Sequence, residues 1–151
     1  MKNSKQIIEE FTSLKSLAVV GVSRNKDKFG SMIYRELKAK GYKMFAVNPE
    51  LDMFEGDRCY AGLGALPEKP EGVIIVVQPA AALKVLEDMS KQGIQYAWIQ
   101  QGANSPENEA KAQELGLKVV AGECAFMFFP PIESIHKFHR TVNKIFGKLP
   151  R

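Results

Sequence analysis

The chain has 151 residues, 45% apolar and 25% charged, with a net charge of +4. That is the make-up of one globular domain with its own core, not of a disordered or fibrous chain. No run of six like charges forms a nucleic-acid arm, no apolar run approaches a membrane span, and Cys59 and Cys124 lack metal-ligand spacing.

In chain order, Ser4 caps an expected short helix over Lys5 to Leu14, with Ile7, Ile8, Phe11 and Leu14 on one face. The acidic residues of this segment interrupt what a secretory signal would need, so a cytoplasmic protein with reduced thiols is expected. The apolar run Leu17 to Val22 reads as a strand buried on both faces. A polar loop follows, then a helix from about Gly30 to Lys40 that halts at Gly41. Lys43 to Val47 is a second strand, closed by Asn48-Pro49. The glycine- and proline-rich segment from Glu50 to Pro70 reads as an irregular surface connection, of the kind that often serves as a binding loop.

The third strand, Gly72 to Gln78, is the clearest, and Pro79 opens a helix running to about Gln92. A fourth strand, Gln95 to Gln100, ends in Gln101-Gly102. Ser105 and Pro106 start a helix that halts at Gly116, and Leu117 to Ala121 is the fifth strand. From Pro130 onward Ile132, Ile135, Phe138, Val142 and Ile145 recur at helical spacing opposite lysines and arginines. A helix over about 131–147, packed on the sheet or on a second copy, is expected there.

Alternating strands and helices predict an α/β fold, a single doubly wound parallel five-stranded sheet with helices on both faces and a C-terminal helix. The expected organisation is one domain over 1–151 with its core at about 17–124. In such a sheet the ligand lies outside the carboxyl ends of the strands. The residues there are Ser23 to Gly30, Asn48-Pro49, Gln78-Pro79, Gln100 to Gly102, and Gly122 to Cys124. The first loop carries Arg24, Lys26 and Lys28 and opens a helix, so a phosphorylated ligand is expected. A GxGxxG fingerprint would put glycine at position 23, where this chain has Ser23. The acid wanted at the end of the second strand for a ribose hydroxyl is replaced by Asn48-Pro49. A dinucleotide is therefore disfavoured, and GxxxxGK[ST] is absent.

Val20-Gly21-Val22-Ser23 with Gly30, Val47-Asn48-Pro49, Val77-Gln78-Pro79, Gln100-Gln101-Gly102 and a cysteine after the fifth strand form an ordered set. With these the chain resembles the stand-alone CoA-binding domain proteins of the Rossmann class, related to the CoA-binding domain of the succinyl-CoA synthetase alpha subunit. The resemblance covers roughly Leu17 to Cys124. It implies a Rossmann-like fold and coenzyme A, or a short acyl-CoA, as the bound cofactor. It also implies that Gly21, Val22, Ser23, Arg24, Lys28 and Gly30 surround the phosphates. Asn48 and Pro49 would border the adenosine end, Val77, Gln78 and Pro79 the nucleotide cleft, and Gln100, Gln101 and Gly102 the pantetheine. The chain departs from the family at Glu123-Cys124-Ala125 and in its long C-terminal segment.

No nucleophile–base pair or paired carboxylates are visible, so the chain reads as a nucleotide-binding module rather than an enzyme. An NAD(P)-binding or redox-sensing Rossmann protein is the alternative, and a basic terminal helix acting on nucleic acid or a membrane surface the third reading. The expected partner is the small molecule, with no nucleic acid or membrane, and a homodimer is left open. A mixed disulfide between Cys124 and CoA is chemically feasible, but Cys124 has no basic neighbour in sequence to activate it. His136 and His139 lack the further ligands of a metal site. Phe126 to Phe129 reads as core or interface, and Trp98 as core.

Overall fold

The computed structural model describes residues 5–25, 28–125 and 128–129. Ser4, Lys26, Phe126, Met127, both histidines and the helix expected over about 131–147 lie outside the described residues.

The sheet is built around β1 (Ser16–Val20), in which every residue is buried. It pairs in parallel with β2 (Lys43–Val47) on one side, Val20 facing Val47. On the other side it pairs with β5 (Gly72–Ile75), Val20 facing Ile75. β6 (Tyr96–Ile99) and β7 (Lys118–Ala121) continue the parallel ladder outward. Beyond β2 come β4 (Asp57–Tyr60), parallel, and β3 (Met53–Phe54), antiparallel, giving the order β3-β4-β2-β1-β5-β6-β7.

Side chains alternate between the two faces of the sheet, and each face meets its own helices. Leu17, Val19, Ile74, Trp98 and Val120 pack against α1 (Lys5–Thr12) through Ile8 and Phe11, and against α2 (Phe29–Ala39) through Ile33 and Leu37. Val73, Ile75, Ala97, Ile99 and Val119 face α3 (Pro79–Gln92) and α4 (Pro106–Glu114) through Leu86, Met89 and Ala112. The fold is thus α/β and Rossmann-like, with a mostly parallel sheet and helices packed on both faces.

The expectation of a five-stranded sheet is corrected to seven. The two added strands lie in the segment read as an irregular connection. The two-residue β3 is too short for a period-2 pattern to register, and the four-residue β4 opens on Asp57-Arg58 rather than on an apolar run. The hairpin joining them turns at Glu55 (φ 49°) and Gly56 (φ 86°), two successive left-handed residues as a tight two-residue turn demands. Glutamate is an unusual first residue for that turn, so the usual Asn-Gly or Asp-Gly signal is missing.

Candidate functional site

Strand order reverses between β1 and β5, so the loops leaving their carboxyl ends diverge and leave a cleft of about 430 Å³. Its near wall is the loop after β1 and the start of α2, and its far wall the ends of β5 and β6.

Two glycines let these walls approach. Gly21 follows β1 with φ +121°, and a Cβ there would stand 2.2 Å from the Val76 carbonyl oxygen. Gly30, in the first turn of α2, would carry a Cβ 2.3 Å from the Gly21 carbonyl oxygen. Only hydrogen fits at either position, so helix and strand end close together with bare backbone facing the cleft. Ser31, fully buried, fixes the loop. Its hydroxyl donates to the Ser23 carbonyl (2.7 Å) and accepts from the Ser23 N–H (3.0 Å). The Ser23 hydroxyl in turn accepts from the Asn25 N–H at 3.1 Å.

The N-terminus of α2 opens on this cleft without a side-chain cap. Lys28 occupies the N-cap position in extended conformation, and the first turn holds no acid. A lysine there adds positive charge to the positive end of the helix dipole, an arrangement that an anion relieves. Among the described residues no carboxylate lines the cleft.

On the far wall Val76, Val77 and Gln78 follow β5, and Gln100, Gln101 and Gly102 follow β6. Gln100 is only 5% exposed. Its Oε1 accepts the Ala125 N–H at 3.2 Å, which fixes the amide so that Nε2 is the donor end. Nε2 donates to no group among the described residues.

Of the residues expected at the site, Gly21, Ser23, Lys28, Gly30, Val77, Gln78, Gln100, Gln101 and Gly102 line the cleft together. Val22, Arg24, Asn48, Pro49 and Pro79 do not. Val22 is buried and Arg24 exposed. Asn48 is a brace: its Nδ2 donates to the Val22 carbonyl (2.7 Å) and its Oδ1 accepts the Glu50 N–H (2.8 Å). Pro79 starts α3 and gives its carbonyl to Asn108 Nδ2 at 3.0 Å. Sequence reasoning missed Val76 and Ala103 on the wall and Ser31 behind the loop, and it included Phe29 in the Ser23 to Gly30 stretch without giving it a role. The signal for Ser31 was a small polar residue one turn before Tyr34, on a helix face otherwise apolar.

The two thiols differ in setting: Cys124 is half-buried and Cys59 buried, where desolvation pushes its thiol pKa up. Among the described residues no cluster of three His, Cys, Asp or Glu could hold a metal. Away from the cleft, Asp57 takes Lys38 Nζ at 2.5 Å and the Tyr34 hydroxyl at 2.7 Å. The lysine, then the tyrosine, hold its carboxyl below the usual range, while burial pushes the Tyr34 hydroxyl up.

A family model described as CoA binding domain matches residues 15–130. The chain belongs to the CoA-binding domain family. This CoA-binding domain is 27% identical over 143 residues to an ADP-forming acetate–CoA ligase of Methanocaldococcus jannaschii, covering 89% of the chain and 19% of the ligase. The chain thus spans about a fifth of the length of that relative. It is also 27% identical to an uncharacterized protein of Bacillus subtilis, YneT, covering 79% of the chain and 88% of that protein. Among solved structures, a conserved hypothetical protein from Pyrococcus furiosus superposes with a TM-score of 0.72 at 32% identity, covering 75% of this chain and 97% of that one. The expected membership among CoA-binding domain proteins therefore holds, with ADP-forming acetate–CoA ligases among the relatives.

Proposed function

We propose that the cleft between β1, β5 and β6 holds coenzyme A or a short acyl-CoA as a binding module. In this reading Ser23, Lys28 and the backbone around Gly21 and Gly30 take the phosphates, with the exposed Arg24 closing over them. Val77, Gln78 and Pro79 border the nucleotide. Asn48 and Pro49 bound the adenosine end, Asn48 by bracing the loop. Gln100, Gln101 and Gly102 run along the pantetheine.

The observation that carries this reading is the open N-terminus of α2, headed by Lys28 and facing a cleft lined by no carboxylate among the described residues. Backbone N–H groups and a lysine there suit a pyrophosphate. The glycine cradle fits as well, since a Cβ at position 21 or 30 would meet backbone oxygen and keep the walls apart. Among the described side chains lining the cleft none is a carboxylate, histidine or cysteine that could shuttle a proton, which favours holding over turnover. The family membership supports coenzyme A among phosphorylated ligands. We further read the chain as a single cytoplasmic domain.

The test is thermal unfolding with CoA, acetyl-CoA and NAD. A ligand at a hundred times its Kd adds about 2.7 kcal/mol, which raises Tm by about 5–10 °C for a domain of this size. The rise is expected with CoA or acetyl-CoA and not with NAD. A rise with NAD alone, or none with CoA at millimolar concentration, refutes the reading.

A further inference from the structure

One wall of the cleft takes no part in the phosphate cradle: the ring of Phe29, the first residue of α2. One side of Phe29 packs against the core formed by α1, α2 and the sheet, so the ring is anchored. The other lines the cleft with Val76 and Val77, half-buried beside the Lys28 cap. An aromatic face beside a phosphate-type helix end does nothing for a phosphate, whereas it buries alkyl groups well.

The polar groups facing this apolar patch narrow the ligand chemistry. Gln78, Gln100 and Gln101 offer amides and no carboxylate. Gln100 in particular has its oxygen held by the Ala125 N–H and presents an NH₂ without a partner among the described residues, from a side chain more than nine-tenths buried. A fixed donor seeks a carbonyl. A second ribose, whose hydroxyls recognise carboxylate acceptors in dinucleotide sites, finds none here. Alkyl surface next to amide carbonyls is the pattern of a linear, amide-linked arm.

We infer that Phe29 is a specificity-determining wall, its ring bearing on the branched alkyl part of such an arm while Gln100 Nε2 donates to an arm carbonyl. The inference rests on the proposed CoA reading and adds to it the residue that distinguishes an arm-bearing ligand from the bare nucleotide end. Being anchored on its core side, the ring loses little freedom when the arm arrives, which keeps the contact productive.

The test is calorimetric titration of the wild-type chain, Phe29→Ala and Phe29→Leu with CoA and with adenosine 3′,5′-bisphosphate, which lacks the arm. The weaker ligand is measured by displacement of CoA. Phe29→Ala is expected to bind CoA about tenfold or more weakly, as truncation of a buried aromatic anchor does, and the bisphosphate within about twofold of wild type. Phe29→Leu keeps an apolar side chain of useful bulk and is expected to bind CoA about threefold more weakly. It also decides the matter if the alanine variant fails to fold, since it must then weaken CoA while sparing the bisphosphate. Equal weakening of both ligands, or unchanged CoA affinity in a folded variant, overturns the inference and leaves the CoA reading standing. A wild-type chain that binds neither ligand removes the CoA reading itself.

Discussion

Replacing Gly30 with alanine reverses an ordinary rule. In a helix, glycine to alanine normally stabilises by up to about 1 kcal/mol, because glycine has more freedom to lose. Here the new Cβ would stand 2.3 Å from the Gly21 carbonyl oxygen, 2.9 Å from its carbon and 3.3 Å from the Val22 nitrogen. Ordinary contact begins at 3.4 Å, so α2 must retreat from the β1 loop by about 1 Å. The obstructing atoms are backbone and cannot rotate aside. Overpacking of that kind costs about 2–3 kcal/mol, which less the helix gain leaves about 1–2 kcal/mol of destabilisation. At 2–4 °C per kcal/mol for a chain of this size, Tm should fall by about 2–8 °C. The same retreat opens the cradle between the two walls, so CoA binding should weaken by about tenfold or more. The control is Gly62→Ala, at an extended residue with nothing within 4 Å, which should leave Tm and binding unchanged. A Gly30→Ala protein that melts higher than wild type and binds CoA as well would refute the packing argument outright.

Three further outcomes are expected. Ser31→Ala strips both hydrogen bonds that lock Ser23 and leaves half-buried backbone groups unpaired, costing about 1–2 kcal/mol. Hydrogen exchange should report faster amides in the loop after β1. Asp57 has a depressed carboxyl pKa, so its contribution is present above the unfolded carboxylate pKa and is lost as pH falls through the folded value. Urea midpoints of wild type and Asp57→Asn should accordingly differ at pH 7 and converge below about pH 4; a constant difference would show that charge is not its source. Cys59 is buried with its thiol pushed up, so the native protein should resist alkylation there at pH 8 and yield only on unfolding. Peptide mapping after iodoacetamide treatment checks it.

The five long parallel strands and the four helices were legible because each is a run of one period bounded by glycine, proline or a cap. Pro79 and the Ser105-Pro106 pair marked helix starts at the residues where α3 and α4 begin. The hairpin of β3 and β4 was not legible, since β3 has only two residues, β4 opens on the charged pair Asp57-Arg58 and the turn begins with Glu55. The cleft was traceable from a topological rule, which takes in whatever follows each strand. That rule cannot tell a wall from a brace: Asn48 stands at a strand end yet spends its amide on Val22 and Glu50. Nor could it find Ser31, which reaches the site from the helix after the loop, or single out Phe29 within the stretch from Ser23 to Gly30. Their roles depend on how closely α2 approaches β1, a distance fixed by Gly21 and Gly30 together.

The indole of Trp98, the sole tryptophan, donates to the Glu123 carbonyl at 3.0 Å and is walled by Phe11, Phe128 and Phe129. Such a fluorophore, shielded from water, emits at short wavelength while the sheet is intact and moves to the red when solvent enters. Two residues along the same strand, Gln100 is tied to the segment that begins at Glu123. One native optical signal therefore reads both the melting of the core and any shift of the chain behind the cleft when it fills. Every stability measurement set out above can be made without adding a dye or a label.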